Sequence, residues 1–186
     1  FSFLQLYPGG FTPEFGASVT DAALAAGLKG EFSSGLTYDL SASYGQNQAS
    51  YRIDNTVNPS LGLSSPTSFK PGQLEQRELA FNLDLTYPIA IGTADPLTLA
   101  GGLEYRRETY EITAGDIASW QVGPFASVVD PDTGNRVGLP VGSNGFPGFS
   151  PIQAGEFARR NWAAYTSLEG NLTEALQFGL AGRYEN

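Results

Sequence analysis

The sequence of 186 residues contains no cysteine, no histidine and no methionine. Without Cys and His, the Ser-His-Asp and Cys-His arrangements of nucleophilic enzymes are excluded, as are zinc sites built from those ligands. The carboxylates that remain are interpreted as solvating groups rather than as an acid–base pair. We therefore expect no enzyme, no metal and no cofactor.

Basic residues are also scarce. The chain has 10 Lys and Arg and 19 Asp and Glu, which gives a net charge of −9. An acidic chain is repelled by a nucleic-acid backbone, so no nucleic-acid partner is expected. The longest apolar run, Ala22 to Leu28, is too short for a membrane helix. The missing Met and an alternating run at the last residues predict a piece of a longer or processed protein.

What the chain does contain is apolar residues at every second position. In the hairpin 79–105, Leu83 and Leu103 belong to the apolar face of their arms, opposite Asp84 and Glu104. A period of two is the strand period, and arms of about nine residues match a tilted strand that crosses a bilayer. Similar segments predict six strands, near 22–32, 36–53, 74–90, 97–112, 159–172 and 176–186.

These strands predict an all-β fold: a segment of an antiparallel, up-and-down transmembrane β-barrel with three hairpins. Short and long connections alternate, as in bacterial outer-membrane barrels, so 54–73 and 115–158 are predicted to be extracellular loops. The polar faces are predicted to line the lumen through Asp39, Asn82, Asp84, Glu104, Glu169 and Arg183. Aromatic residues at the ends of the apolar stripes predict two membrane girdles: Tyr44, Tyr105, Trp162 and Tyr184 outside, and Tyr87, Phe178 and Phe32 on the periplasmic side.

The long second loop is the candidate ligand site. Its most distinctive stretch, 142–151, is rich in Gly and Pro and excludes a regular element. Its rings either contact a ligand or pack the loop against its neighbours. The ligand-contacting candidates are Trp120, Phe125, Asn144, Phe146 and Phe149.

Two charged motifs accompany this loop. Asp130 to Asn135 has some of the spacing of a calcium loop but lacks the closing Glu, so a turn is the favoured interpretation. Four arginines flank the loop and either meet an anionic ligand or serve local carboxylates and lipid head groups. They are Arg106, Arg107, Arg159 and Arg160.

The chain resembles the barrel region of TonB-dependent outer-membrane receptors, in particular those of alphaproteobacteria. The runs that carry the resemblance are 7–16 (YPGGFTPEFG), 55–60 (NTVNPS), 101–108 (GGLEYRRE), 142–151 (GSNGFPGFSP) and 181–185 (AGRYE). The resemblance implies an importer of a scarce nutrient such as a siderophore, cobalamin or a saccharide, energised from the inner membrane. It also implies a barrel of about 22 strands around an N-terminal plug.

Six strands are too few to close such a barrel, and open sheet edges are not tolerated in hydrocarbon. We therefore expect a partial barrel in the bacterial outer membrane. Its expected partners are outer-membrane lipid, the remainder of the barrel and plug, the TonB complex through parts absent from these residues, and a small-molecule ligand of unknown identity. The alternatives are a structural or adhesive outer-membrane barrel and a soluble β-rich binding module.

Overall fold

The computed structural model describes residues 3–93 and 95–186. Its elements, in chain order, are β1 Glu14–Glu31, β2 Thr37–Asp54, a 3-10 helix Pro59–Ser64, β3 Ser68–Ile89, β4 Leu97–Ala114, α1 Ile117–Trp120, β5 Val128–Val129, β6 Arg136–Val137, β7 Gly155–Thr173 and β8 Leu176–Glu185. Residues 1, 2 and 94 lie outside the described residues; residue 94 belongs to the predicted turn between the third and fourth strands. No helix in the described part of the chain is long and apolar enough to cross a membrane.

The six long strands form one antiparallel sheet in the order β1-β2-β3-β4-β7-β8, and β5 pairs with β6 in a separate two-stranded ribbon. Neighbours in the sheet are therefore neighbours in the chain, apart from the inserted ribbon. The predicted six-stranded antiparallel architecture is confirmed. Over the residues that the structure describes, the sheet is not closed into a barrel, and β1 and β8 are its edges.

Short and long connections alternate between the strands. Tight turns join β1 to β2, β3 to β4 and β7 to β8, whereas 55–67 and 115–154 are long. In the first turn the Phe32 N–H donates to the Leu36 carbonyl and the Gly35 N–H donates to the Phe32 carbonyl, both at 2.9 Å. Gly35 has φ 83°, a left-handed conformation that glycine adopts without steric cost. The alternation of short turns with long loops therefore follows the sequence pattern.

Three strands, β1, β3 and β7, begin several residues before their predicted starts near 22, 74 and 159. The start of β3 shows why. Pro71 and Gly72 are turn residues by local preference, and Pro donates no hydrogen bond to a sheet. Yet Pro71 is fully buried and Phe69 is 1% exposed. Burial of these side chains against distant parts of the chain outweighs the local turn preference.

The described residues divide into two compact units, each built from several stretches of chain. The sheet unit comprises Ala22–Gln46, Arg77–Thr109 and Ala158–Asn186, and the loop unit comprises the residues up to Asp21 together with Asn47–Gln76 and Tyr110–Phe157. Most of the buried residues lie in the loop unit, whereas Ala80, Leu97 and Ala163 are buried in the sheet unit. All of the largest fully buried side chains belong to the loop unit: Ile53, Thr56, Val57, Asn58, Ser60, Phe69, Pro71, Ser119 and Ser143.

Candidate functional site

The apolar face of the sheet unit is exposed. Leu24 is 72% exposed, Leu28 62%, Leu103 55% and Leu180 73%, although leucine normally supplies the core of a water-soluble sheet. An open groove of about 450 Å³ crosses this face over Gly101, between leucines of β3 and β4. A continuous exposed apolar surface of this kind marks an interaction with a membrane or another protein.

Aromatic rings end this apolar face on the side away from the tight turns. The Tyr105 ring lies 4.5 Å from the Trp162 ring and 6.3 Å from the Phe81 ring, measured between centroids. The predicted outer-girdle residues Trp162 and Tyr184 are 60% and 72% exposed, and Tyr44 is 39% exposed. The rings thus border the apolar stripe and leave their edges accessible.

The second predicted row lies at the ends of the strands joined by tight turns. Tyr87 is 41% and Phe32 is 55% exposed. On β8, Phe178 is paired with Gly170 of β7, eight residues from Trp162. Eight residues rise about 26 Å along a strand, or roughly 20 Å along the normal of a bilayer at a usual barrel tilt. The separation of the rows is therefore close to the height of the apolar band of known outer-membrane barrels.

The opposite face of the sheet unit carries a tightly packed polar contact. The Tyr165 hydroxyl donates to Asp84, and the Tyr165 ring lies over Gly102. A Cβ added at Gly102 would lie 2.7 Å from Asp84 Oδ1 and 2.8 Å from the Leu83 carbonyl oxygen. Only glycine leaves room for the ring, and covering a strand glycine with an aromatic ring stabilises the local pairing.

A charge network crosses the same face. Arg106 donates to Glu104 at 2.6 Å and Arg183 donates to the other oxygen of Glu104 at 3.0 Å, while Arg183 also reaches Glu185 at 3.3 Å. Arg183 belongs to β8 and Glu104 to β4, so the pair spans β7. The side chain beneath it is the small Ala163, which is 6% exposed. The network connects β4 to β8 across β7 through side chains.

Of the other predicted lumen residues, Asp39 is exposed and lines an open recess of about 420 Å³ together with Asp84 and Lys29. Asn82 is half-buried on β3, and Glu169 is exposed on β7 opposite Gly179. The structure brings Glu104 and Arg183 into one network and Asp84 into another. It does not join Asn82 or Glu169 to either of them.

In the loop unit, Asn58 is the central hydrogen-bonding residue and is fully buried. Its amide nitrogen donates to the carbonyl oxygens of Ala118 at 2.9 Å and Gln121 at 3.0 Å. Its Oδ1 accepts the Ser60 N–H at 3.1 Å and the Ser60 hydroxyl at 2.7 Å. The Asn58 side chain therefore caps the 3-10 helix and holds it to α1 across about sixty residues of sequence.

Two buried serines fasten the second long loop. The Ser119 carbonyl accepts the N–H groups of Ser143 and Gly148, both at 2.9 Å. The Ser143 hydroxyl donates to the Phe146 carbonyl at 2.6 Å. Sequence analysis missed these residues and Asn58, because small polar residues in loops show no periodicity. The one available signal was Asn58 followed by Pro59, a common helix start.

Two of the predicted ligand-contacting residues pack against each other. Phe146 and Phe149 pack edge to face with centroids 5.9 Å apart, and Phe146 also lies 4.7 Å from Phe15 and 5.4 Å from Tyr51. Phe15 is 51% exposed, so this four-ring cluster retains an accessible side. The rings pack the loop against strands of its own unit, and a ligand role for them stays a prediction.

The remaining three candidates also belong to the loop unit, and the Gly115 N–H, next to the carbonyl that binds Trp120, donates to the Phe149 carbonyl at 2.9 Å. The Trp120 indole donates to the Gly115 carbonyl at 3.1 Å, and Phe125 is 37% exposed. The Asn144 side chain is exposed, while its backbone is held by Val57 and Thr56 at 2.8 and 2.7 Å.

The calcium-loop interpretation of residues 130–135 is not supported. These residues form the turn of the β5–β6 ribbon, in which the Gly134 N–H donates to the Asp130 carbonyl at 2.8 Å. The Asp130 carboxylate accepts the Asp132 N–H at 2.9 Å, and this bond lowers the pKa of Asp130. No cluster of three or more potential metal ligands occurs among residues 3–93 and 95–186.

The chain matches no family model, and no curated protein matches it significantly.

Proposed function

We propose that this chain forms part of the wall and the outer loops of a TonB-dependent outer-membrane receptor, which imports a scarce nutrient. The observation that carries the proposal is the reversed distribution of burial. The loop unit contains all of the largest fully buried side chains, whereas the sheet unit exposes leucines between two rows of aromatic rings. In water this surface would be unfavourable, and in a bilayer it would be solvated by acyl chains.

The polar face of the sheet supports a barrel wall rather than half of a soluble sandwich. A sandwich buries one apolar face of each sheet against the other. In the sheet unit the apolar face is open, and the opposite face carries the networks of Glu104 and Asp84. Hydrogen-bonded charges of this kind suit a water-filled lumen or the surface of a plug.

The loop unit supports a receptor rather than a plain structural barrel. Its long connections are held in one arrangement by hydrogen bonds of buried residues such as Asn58. Binding sites are usually largely pre-formed, because ordering a loop at the moment of binding reduces affinity. The four-ring cluster, which includes Phe146 and Phe149, would offer an accessible aromatic surface to a nutrient.

Paired variants on β3 test the membrane orientation. Leu83→Arg places a cation on the apolar face between the aromatic rows and should cost about 2–4 kcal/mol of unfolding free energy in bilayers. Asn82→Arg, one residue away on the polar face, should cost less than about 1 kcal/mol. The measurement is urea unfolding of each variant reconstituted in lipid vesicles. Equal effects of the two substitutions would contradict the assignment of the faces.

Transport is tested in cells that lack the protein. Uptake of radiolabelled nutrients from a panel of ferric siderophores, cobalamin and saccharides should fall for one member. Uptake should return with the wild-type protein and disappear with a protonophore, because the import is energised from the inner membrane. Full uptake of every panel member without the protein would favour an adhesive or structural barrel.

A further inference from the structure

The four arginines at the bases of the second long loop divide into two pairs with different surroundings. Arg106 and Arg159 lie on the polar face, where they form ion pairs with Glu104 and Glu108. Arg107 and Arg160 are exposed. Within the described part of the chain, neither of them forms an ion pair or a side-chain hydrogen bond.

The register of β4 against β7 shows where this second pair lies. The Tyr165 ring covers Gly102, the Tyr105 ring contacts the Trp162 ring, and Glu108 pairs with Arg159. Each step of three residues along β4 is thus matched by a step of three residues back along β7. The same register puts residue 107 directly opposite residue 160.

Arg107 and Arg160 consequently share a face with Tyr105 and Trp162. They lie one alternation beyond these rings, on the side away from the tight turns. Side chains directly opposite each other in an antiparallel pair have Cβ atoms about 5 Å apart, and like charges at such positions are destabilising. Two exposed guanidinium groups in this arrangement repel each other, and an anion bound between them would relieve that repulsion.

We propose that Arg107 and Arg160, together with Tyr105 and Trp162, bind the phosphate of an anionic membrane lipid. This inference rests on the proposed membrane orientation. The charge complementarity comes from the arginine pair, since guanidinium groups bind phosphate oxygens through paired N–H donors. The rings would lie at the level of the head groups, and the apolar groove over Gly101 lies on the same face for an acyl chain.

Lipid quenching of tryptophan fluorescence tests the site. The chain has two tryptophans, and Trp120→Phe leaves Trp162 as the only tryptophan, whose fluorescence can be excited selectively over that of tyrosine. The protein is reconstituted in bilayers that contain either brominated phosphatidylglycerol or brominated phosphatidylcholine. Each basic residue near a membrane surface favours anionic lipid, so we expect about fivefold or greater preference of the Trp162 site for phosphatidylglycerol at low salt.

The arginines supply matched controls. The double variant Arg107→Gln with Arg160→Gln should abolish the preference, whereas Arg107→Lys with Arg160→Lys should retain most of it. The double variant Arg106→Gln with Arg159→Gln, on the other face, should leave the preference intact. Intensity of the near-ultraviolet circular dichroism shows whether each variant keeps its fold. A loss of preference in the polar-face variant alone would overturn the assignment.

The outcomes separate this inference from the proposed function. Quenching by both lipids to the same extent would overturn the phosphate site and leave the membrane orientation standing. Quenching by neither lipid would overturn both. Added inorganic phosphate distinguishes a lipid from a free anion: it should lower the preference no more than chloride of equal ionic strength. Selective displacement by inorganic phosphate would show a site for the free anion and overturn the lipid assignment.

Discussion

Replacing Asn58 by Ala should strongly loosen the loop unit. Asn58 is fully buried and makes four side-chain hydrogen bonds, two as donor and two as acceptor. The substitution leaves the carbonyls of Ala118 and Gln121 without their donor. It also removes the acceptor of the Ser60 N–H and hydroxyl in a region with little access to water.

The magnitude follows from these four bonds. A typical hydrogen bond contributes about 1 kcal/mol net, and a buried group left without a partner costs about 1–3 kcal/mol. Ala118 and Gln121 are half-buried and would regain some hydration, whereas Ser60 is fully buried. We therefore expect a loss of roughly 4 kcal/mol in the free energy of opening the loop unit, which corresponds to about a thousandfold increase in opening.

Native-state hydrogen exchange measures this opening directly. The amides of Gly123 and Phe125, which donate to the Ser60 hydroxyl and the Ser60 carbonyl, should exchange about a thousandfold faster in Asn58→Ala. Asn144→Ala is the matched control, because that side chain is exposed. Unchanged exchange in Asn58→Ala, or an equal acceleration in the control, would refute the conclusion that buried hydrogen bonds order the loops.

Two further predictions concern the sheet unit and the end of β2. Gly102→Ala should cost about 1–3 kcal/mol of unfolding free energy, because the new Cβ would displace the Tyr165 ring. The added Cβ in Gly45→Ala meets open space, so this control variant should be near neutral. Chemical denaturation of both variants measures the difference. The Arg52 guanidinium bonds both oxygens of Asp54, at 2.6 and 2.8 Å, and lowers the pKa of this carboxyl below its ordinary 3.8. Because folding lowers the pKa of Asp54, the ion pair stabilises the protein at pH values above the pKa of Asp54 in the unfolded chain. This stabilisation is lost as the pH falls through the pKa of Asp54 in the folded protein. A carboxyl NMR titration of Asp54 with a midpoint at or above 3.8 would contradict this, and Arg52→Gln should raise the midpoint.

Local pattern was sufficient to predict that six strands exist and which side chains share a face, but not where β1, β3 and β7 begin. Leu83 and Asp84 are adjacent in sequence, and the strand period alone assigns them to opposite faces. The structure agrees, because Leu83 lines the apolar groove while Asp84 bonds Tyr165. Turn chemistry also needed no tertiary information, as Gly35 shows.

Pattern failed where distant residues decide the conformation. Local preference predicts a turn at Pro71, but the burial of its side chain in the loop unit keeps this segment in β3. Asn58 reads as an ordinary loop residue, yet its partners lie about sixty positions further along the chain. No local sequence signal identifies a hydrogen-bond partner that is distant in the chain. The sequence therefore predicts the loops as connections and not as a unit with its own buried residues.

The arginine pairs show the same division most clearly. The sequence by itself determined that Arg106 and Arg107, like Arg159 and Arg160, must point to opposite faces, because side chains alternate along a strand. It did not determine which arginine faces which, since that depends on how β4 is aligned with β7. Only the tertiary structure decided this register, through contacts such as Tyr105 with Trp162, and so placed two like charges side by side on the apolar face.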